Sequence, residues 1–481
     1  MDVQEKDVKH VEAPSGVPMG REATADDLAA RQNGGDVMPS VEPPARLETS
    51  IRGTPADKAP DPGLTYDTIP KARYTDERYV GLEWERLWTK VWNLAGRVDD
   101  LAEPGDYFTY DLGKESFIIT RDRTMNIRAY YNVCLHRGNR LKPERGVGFS
   151  DSFQCMYHHW EWNLDGTIKR IPDEETFPQG LDHDCLKLKE VKVDIWGGFV
   201  FINMNPDAEP LTEFLGVIPE HLDPYHFQDM VLVSDQTVEW DCNWKTSLDA
   251  FNESYHVQGI HPQLMSWLDD YYIQWDVYGK HTRMLVPMGV PSPRYKNQDS
   301  PASDLEEFIE QAGLNPDDFK GKVREARLEI QKHRRSLENE TYLPYKHLND
   351  DQLSDDYHYT VFPNWTMNIY ADAMMLFLSR PHPTDPNKMF WDLQFYMHVD
   401  PAQPKPDRPE RTQHKYDEVD LGEVLNQDAY NLPHVQAGMN SDAYEGLILS
   451  EQEVRILAFH KTWEDYVEPD QTAQKNKQAA E

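Results

Sequence analysis

The chain has 481 residues, of which 39% are apolar and 11% aromatic, enough material for more than one packed core. A formal net charge of −35 would repel a polyanion over most of the surface, so nucleic acid is excluded as an expected partner. No stretch approaches the apolar length that crosses a bilayer, and Met1 to His10 are charged and lack a signal peptide's apolar run; the expectation is a cytoplasmic protein with no membrane partner. Four cysteines are too few for a disulfide scaffold, so their positions matter more than their number.

From Met1 to Thr65 there is no Phe, Trp or Tyr, and residues 1–65 are predicted to be a disordered arm. At Tyr66 the composition changes. Val80, Trp84, Leu87, Trp88 and Val91 recur at helical spacing behind Thr75 as a cap, which predicts a helix within residues 66–92. Short β-rich runs follow, among them Phe117 to Thr120, Ile127 to Val133 and Phe199 to Asn203, punctuated by glycines, and predict a small all-β domain over 93–206. Residues 207–467 mix helix and strand: Leu305, Phe308, Ile309 and Ala312 at helical spacing, a new helix start at Asn315-Pro316, and apolar strands at Met374 to Leu378 and Phe390 to Met397. A flexible tail is expected over 468–481.

Cys134-Leu135-His136 is followed, after eighteen residues, by Cys155-Met156-Tyr157-His158. Two thiolates and two imidazoles suit either tetrahedral zinc or a two-iron cluster with sulfur ligands on one iron and nitrogen ligands on the other. Zinc fingers usually pair Cys with Cys and His with His, whereas each short segment here mixes the two types. Cys185 and Cys242 have no partner at ligand spacing and read as ordinary small buried residues, and His159 as a packing residue. The mixed pairs, with Arg137-Gly138 after the first and His159-Trp160 after the second, resemble the Rieske iron–sulfur motif. The resemblance implies a [2Fe-2S] cluster with Cys134 and Cys155 on one iron and His136 and His158 on the other. His159 departs from the glycine common there.

A Rieske cluster alone can be a carrier or can feed a second centre. His256 and His261 stand five residues apart, with Pro262 disfavouring helix at His261, so both rings can converge where a helix ends. Two His with one carboxylate leave open positions on ferrous iron for O2. The segment from Asn243 to Pro262 resembles the mononuclear-iron motif of the α subunits of aromatic ring-hydroxylating Rieske oxygenases. By that resemblance His256 and His261 are ligands of a mononuclear Fe(II), and Glu253 bridges an iron ligand to a Rieske histidine, His158, of a neighbouring subunit. Ala250 departs from the family's frequent Asn. The stretch around Leu425 to Asp428 resembles the helix carrying the third ligand, assigned to Asp428, with Asp420, Glu423 and Asp442 as competitors.

The resemblance runs from about Tyr74 to Val467 and implies an α+β fold: an all-β Rieske domain beside a helix-grip catalytic domain, an antiparallel sheet with helices, to which the 66–92 helix belongs. It implies a head-to-tail homotrimer, with or without a small β subunit. The activity implied is O2-dependent hydroxylation of a hydrophobic, aromatic small molecule by dihydroxylation, monohydroxylation or oxidative dealkylation. No Gly-x-Gly-x-x-Gly nucleotide fingerprint is present, so electrons are expected from an NAD(P)H-dependent reductase, with or without a ferredoxin. Pocket walls are expected from Met265, Trp267, Leu268 and Tyr271 and from the strand around Trp365 to Tyr370. The rival readings are a Rieske electron-transfer protein with a non-catalytic binding domain, and a zinc-stabilised binding module.

Overall fold

The run Phe199–Asn203 lacks polar alternation, and as a strand it is buried at every residue. In the computed structural model, which describes residues 58–337 and 341–469, it lies second in a seven-stranded antiparallel sheet. The spatial order is Asn93–Arg97, Phe199–Asn203, Glu190–Trp196, Ile127–Tyr131, Glu115–Arg121, Asp106–Leu112, Val147–Phe149. A smaller three-stranded sheet, Phe153–Gln154, Glu161–Trp162 and Ile168–Arg170, projects the second Cys/His segment from its first turn. Phe153, Trp160, Trp162 and Leu164 pack with Cys134 and Cys155 into a separate small core under both segments.

The second half is built on an eight-stranded sheet: β1 (Val231–Trp240), β2 (Gln274–Tyr278), β3 (His281–Val286), β4 (Asp356–Val361), β5 (Trp365–Ile369), β6 (Ala373–Pro381), β7 (Met389–Met397) and β8 (Thr412–Lys415). The order is β2-β3-β4-β5-β6-β7-β1-β8, antiparallel except for the β1–β8 pair. The main helices are α1 (Arg78–Glu83), α2 (Trp244–Ala250), α3 (Val257–Ile260), α4 (Ser303–Gln311), α5 (Glu423–Met439) and α6 (Val454–Val467). Helix α2 lies on β6 and β7, α6 lies on β2 and β3, and α5 packs on α2. The α+β expectation holds.

Several local expectations change. Thr75 ends a short helix, Ala72–Thr75, rather than capping the next; its hydroxyl donates to the Lys71 carbonyl. Helix α1 gives way to a π-helical turn, Trp84–Trp88, that buries Leu87 and Trp88. Asn315 does start a turn, accepting from the Asp317 amide, but of 3-10 type over Pro316–Phe319. Cys242 is buried as expected, whereas Cys185 is exposed and its thiol donates to Asp182. Most of the expected 1–65 arm and of the 468–481 tail lies outside the described residues; residues 58–65 form neither helix nor strand. Among the described residues no helix is long and apolar enough to cross a membrane.

Candidate active site and cluster loops

The two Cys/His segments fold alike. The amide four residues after each cysteine returns to that cysteine's carbonyl, from Gly138 to Cys134 at 3.0 Å and from His159 to Cys155 at 2.9 Å. Each cysteine amide donates to the carbonyl five residues on, Asn139 and Trp160, both at 2.8 Å. The closing residue is left-handed in both turns, with φ +79° at Gly138 and +58° at His159. That geometry favours glycine and costs a side-chain-bearing residue about 1–2 kcal/mol, which accounts physically for why His159 is an unusual occupant.

Cys134 and Cys155 are buried beneath the loops, and burial pushes the Cys134 thiol up. The His136 and His158 rings lie 4.6 Å apart, and His136 stacks on Trp160 at 4.8 Å with a 5° interplanar angle. Nδ1 of both His136 and His158 is buried without a hydrogen-bond partner among the described residues. Two buried sulfurs beside two orphaned imidazole nitrogens are the donor set a Rieske cluster requires, so these residues fit the group.

The second centre assembles from three elements. Asn243 caps α2, its side chain accepting from the Lys245 amide, and the chain leaves the helix at Phe251 to place Glu253 in the next turn. His256 and His261 stand at the two ends of the short α3, because the backbone at His261, ahead of Pro262, has already left helical geometry. Asp428 comes from the inward face of α5, and His256, His261 and Asp428 bring one ligand atom each to within 4.8 Å of one another. Glu423 also borders the cavity, while Asp420 is engaged with Asn426 and the Gly422 amide; neither joins the three.

Each histidine is held through Nδ1, leaving Nε2 to face the convergence point. His256 Nδ1 lies 2.6 Å from Glu253 Oε1, while Glu253 Oε2 accepts the His256 amide at 3.0 Å. His261 Nδ1 lies 2.5 Å from Gln427 Oε1, and its Nε2 is 3.1 Å from Asp428 Oδ1. Burial by itself would lower the His256 pKa, but the Glu253 carboxylate, with Asp428 beyond it, raises it to about 9. The same pull toward positive charge suits a metal cation. Two imidazoles and one carboxylate beside a cavity fit a facial iron site.

A cavity of about 170 Å³ opens beside these three residues. Trp267 and Leu268 line it as expected, and Asn368 and Tyr370 do from the expected strand region, whereas Met265, Tyr271 and Trp365 do not. Sequence reasoning missed Gln427, Asp356 and His358. Gln427 could have been suspected as the neighbour of Asp428; Asp356 and His358 alternate with Tyr357 and Tyr359 in a β-like pattern that would normally mark a solvent face.

Residues 227–469, half of the chain, match the family model for the ring hydroxylating alpha subunit (catalytic domain). The chain belongs to that family. Residues 91–189 of this ring-hydroxylating α-subunit homologue match the Rieske [2Fe-2S] domain, so it combines a Rieske domain with a catalytic domain of the kind that binds mononuclear iron. It is 28% identical over 211 residues to the glycine betaine monooxygenase oxygenase subunit of Pseudomonas aeruginosa, covering 44% of this chain and 47% of that one. It is 34% identical over 197 residues to the carnitine monooxygenase oxygenase subunit of Escherichia coli K12, covering 40% and 52%. With the chloroplastic choline monooxygenase of Beta vulgaris it shares 30% over 240 residues, 48% and 53% of the two chains. The chain thus spans about half the length of the curated relatives it matches. In fold it is similar to the quaternary ammonium Rieske monooxygenase CntA with L-carnitine, with a TM-score of 0.61 and 21% identity over 86% of this chain and 99% of that one. It is also similar to naphthalene 1,2-dioxygenase with indole bound, with a TM-score of 0.58 and 19% identity over 83% and 92%.

Proposed function

We propose that this chain is the oxygenase component of a Rieske system that monooxygenates a small amine at a carbon bonded to nitrogen. The balance is substrate C–H plus O2, two electrons and two protons giving C–OH and water; a hydroxylated N-methyl group then leaves as formaldehyde, which is oxidative dealkylation. The observation that carries the reading is the pairing of two donor sets, orphaned imidazole nitrogens over buried cysteines in one domain and the His256, His261, Asp428 convergence beside a cavity in the other. The names of the relatives, which act on glycine betaine, choline and carnitine, favour an amine over the aromatic hydrocarbon expected from sequence. Dihydroxylation of an aromatic ring is the second reading, favoured by Phe251, Trp267 and Phe377 in the cavity wall.

In this reading Cys134, Cys155, His136 and His158 hold the cluster within a domain of residues 93–206, and His256, His261 and Asp428 hold the iron within residues 207–467. When bound, the cluster supplies single electrons and the mononuclear Fe(II) activates O2. Glu253 fixes the His256 tautomer through Nδ1 and keeps lone pairs for a second imidazole donor, His158 of a neighbouring copy. The copies form a head-to-tail trimer, with or without a β subunit, in the cytoplasm, where an NAD(P)H-dependent reductase, directly or through a ferredoxin, delivers electrons.

The test counts metal and sulfide. The reconstituted protein should hold three irons and two acid-labile sulfides per chain, and Asp428→Ala should hold two irons with an unchanged cluster spectrum. Two irons in the parent would favour the electron-transfer reading, and a colourless zinc protein would favour the binding module.

A further inference from the structure

The floor of the cavity is sheet, and its register brings polar side chains together. Asp356 and His358 are two apart on β4 and face the same way; His358 pairs with Asn368 of β5 and with Met284 of β3, and Asp356 pairs with Val286. Tyr370, next to β5, lines the same floor. The surrounding walls are apolar, with Leu264, Trp267, Val286, Met288, Met375 and Phe377 among them.

His358 is buried and Asp356 is partly buried with its Oδ1 out of reach of solvent, yet Asp356 Oδ1 and both ring nitrogens of His358 have no hydrogen-bond partner among the described residues. The Asp356 carboxyl does accept the Ile369 amide, so its other oxygen is the open one. A buried acceptor left without a donor costs about 1–3 kcal/mol, so such groups in a cavity wall mark what the ligand must supply. The lining contains the carboxyls of Glu253, Asp356, Glu423 and Asp428 and no Lys or Arg. Away from the proposed iron site, which engages Asp428 and Glu253, an anionic substrate would find no protein counter-charge on this surface, whereas a cation finds the Asp356 and Glu423 carboxyls and the aromatic side chains of Trp267, Tyr370 and Phe377. Arg455 stands behind the floor, bonded to the Thr282 and Thr360 hydroxyls, and does not line the cavity.

We propose that Asp356 and His358 form the head-group subsite of this cavity, and that it takes a protonated secondary or tertiary N-alkyl amine in preference to a permanently quaternary one. This rests on the amine reading above and narrows it. A quaternary nitrogen has no N–H and would leave Asp356 Oδ1 unpaired, while a protonated amine donates to it directly. Burial in the floor pushes the Asp356 pKa to about 8. A free amine can therefore take the Asp356 proton and form the ion pair with no change in the net charge of the buried site. Burial together with Arg455 drives the His358 pKa well down, so His358 is a neutral ring with one donor and one acceptor for a second polar group such as a hydroxyl.

The experiment uses the iron-loaded holoprotein and two probes of matched shape, 2-(dimethylamino)ethanol and choline. Binding is measured by calorimetry, and cluster oxidation is followed in a single turnover. The parent should bind the dimethyl compound at least about tenfold more tightly, roughly one charge-assisted hydrogen bond. Asp356→Asn, which preserves shape, should lose most of that preference with an unchanged cluster spectrum, and His358→Phe should weaken both probes while keeping the preference. Equal or tighter binding of choline by the parent would overturn the inference and leave the amine reading standing, as would a preference that persists in Asp356→Asn. If neither amine bound while naphthalene did, both would fall.

Discussion

In the coupling proposed above Glu253 is the bridging residue, and its carboxylate binds His256 through both the ring and the amide. Replacing it with Gln keeps the shape but gives up the charge and one strong acceptor. Glu253→Gln should keep all three irons of the proposed complement yet leave the reduced cluster long-lived in O2 and substrate; parental oxidation rates would remove the bridge assignment. A second residue sets a pH dependence unrelated to catalysis. His281 is buried between the Phe214 carbonyl, 2.7 Å from Nε2, and the Phe362 amide, which donates to Nδ1 at 3.1 Å. That arrangement demands a neutral ring. Burial lowers its pKa to about 4, with the Phe214 carbonyl opposing. Because the folded pKa lies below the unfolded value of about 6.5, the neutral ring's stabilisation is complete above pH 6.5 and is lost as pH falls toward 4. Denaturant titrations should show His281→Gln less stable at neutral pH and with a shallower acid dependence between pH 6.5 and 4 than the parent. Identical slopes would mean that His281 does not carry this dependence.

At the scale of elements, one buried acid helps lock the N-terminal helix region to the catalytic domain, alongside the Tyr74 hydroxyl, which donates to Asp249. Glu83, the last residue of α1, receives Lys245 Nζ at 2.5 Å and Trp244 Nε1 at 2.8 Å from α2, and Trp463 Nε1 at 2.9 Å from α6. The Lys245 and Glu83 side chains are 1% and 4% exposed, so removing either partner strands a buried charge. Glu83→Ala should cost about 3–5 kcal/mol by urea denaturation, and the double change Glu83→Leu, Lys245→Met should recover much of that loss. No recovery would show that the indole donors, rather than the lysine, dominate. Strand β4 teaches a different lesson. Its sequence alternates polar Asp356, His358 and Thr360 with Tyr357, Tyr359 and Val361, yet every residue but the partly exposed Asp356 is buried, because the polar face looks toward the cavity and the helices.

For the whole molecule, the head-to-tail arrangement proposed above would bring together exposed apolar groups at the rims of the two centres. Met156 and Tyr157 at the cluster loops are 68% and 54% exposed, and Ile448 is 90% exposed at a groove that also includes Glu253, His256 and Val435. Exposed apolar groups at the loops and at the groove suit contact between copies. Ile448→Asp should shift the assembly toward monomer by light scattering and depress turnover, while iron, sulfide and the cluster spectrum stay at parental values. An unchanged mass and rate would remove this face from the contact.

What the sequence determined by itself was whatever closes within one short segment. Cys134 with His136, Cys155 with His158, and His256 with His261 are each set by a single turn or short helix, so spacing is enough to read them. The α+β division was legible for the same reason, since strand and helix periodicities are local. The resemblance had singled out Asp428, but no local pattern separates it from Asp420 or Glu423; the tertiary structure brings it to the two histidines, because α5 is separated from them by the sheet strands and only packing fixes which of its faces turns inward. It also placed Gln427 behind His261 and turned Asp356 and His358 into the cavity. Alternation along a strand says that its two faces differ, but which one meets solvent depends on what the rest of the chain lays over it.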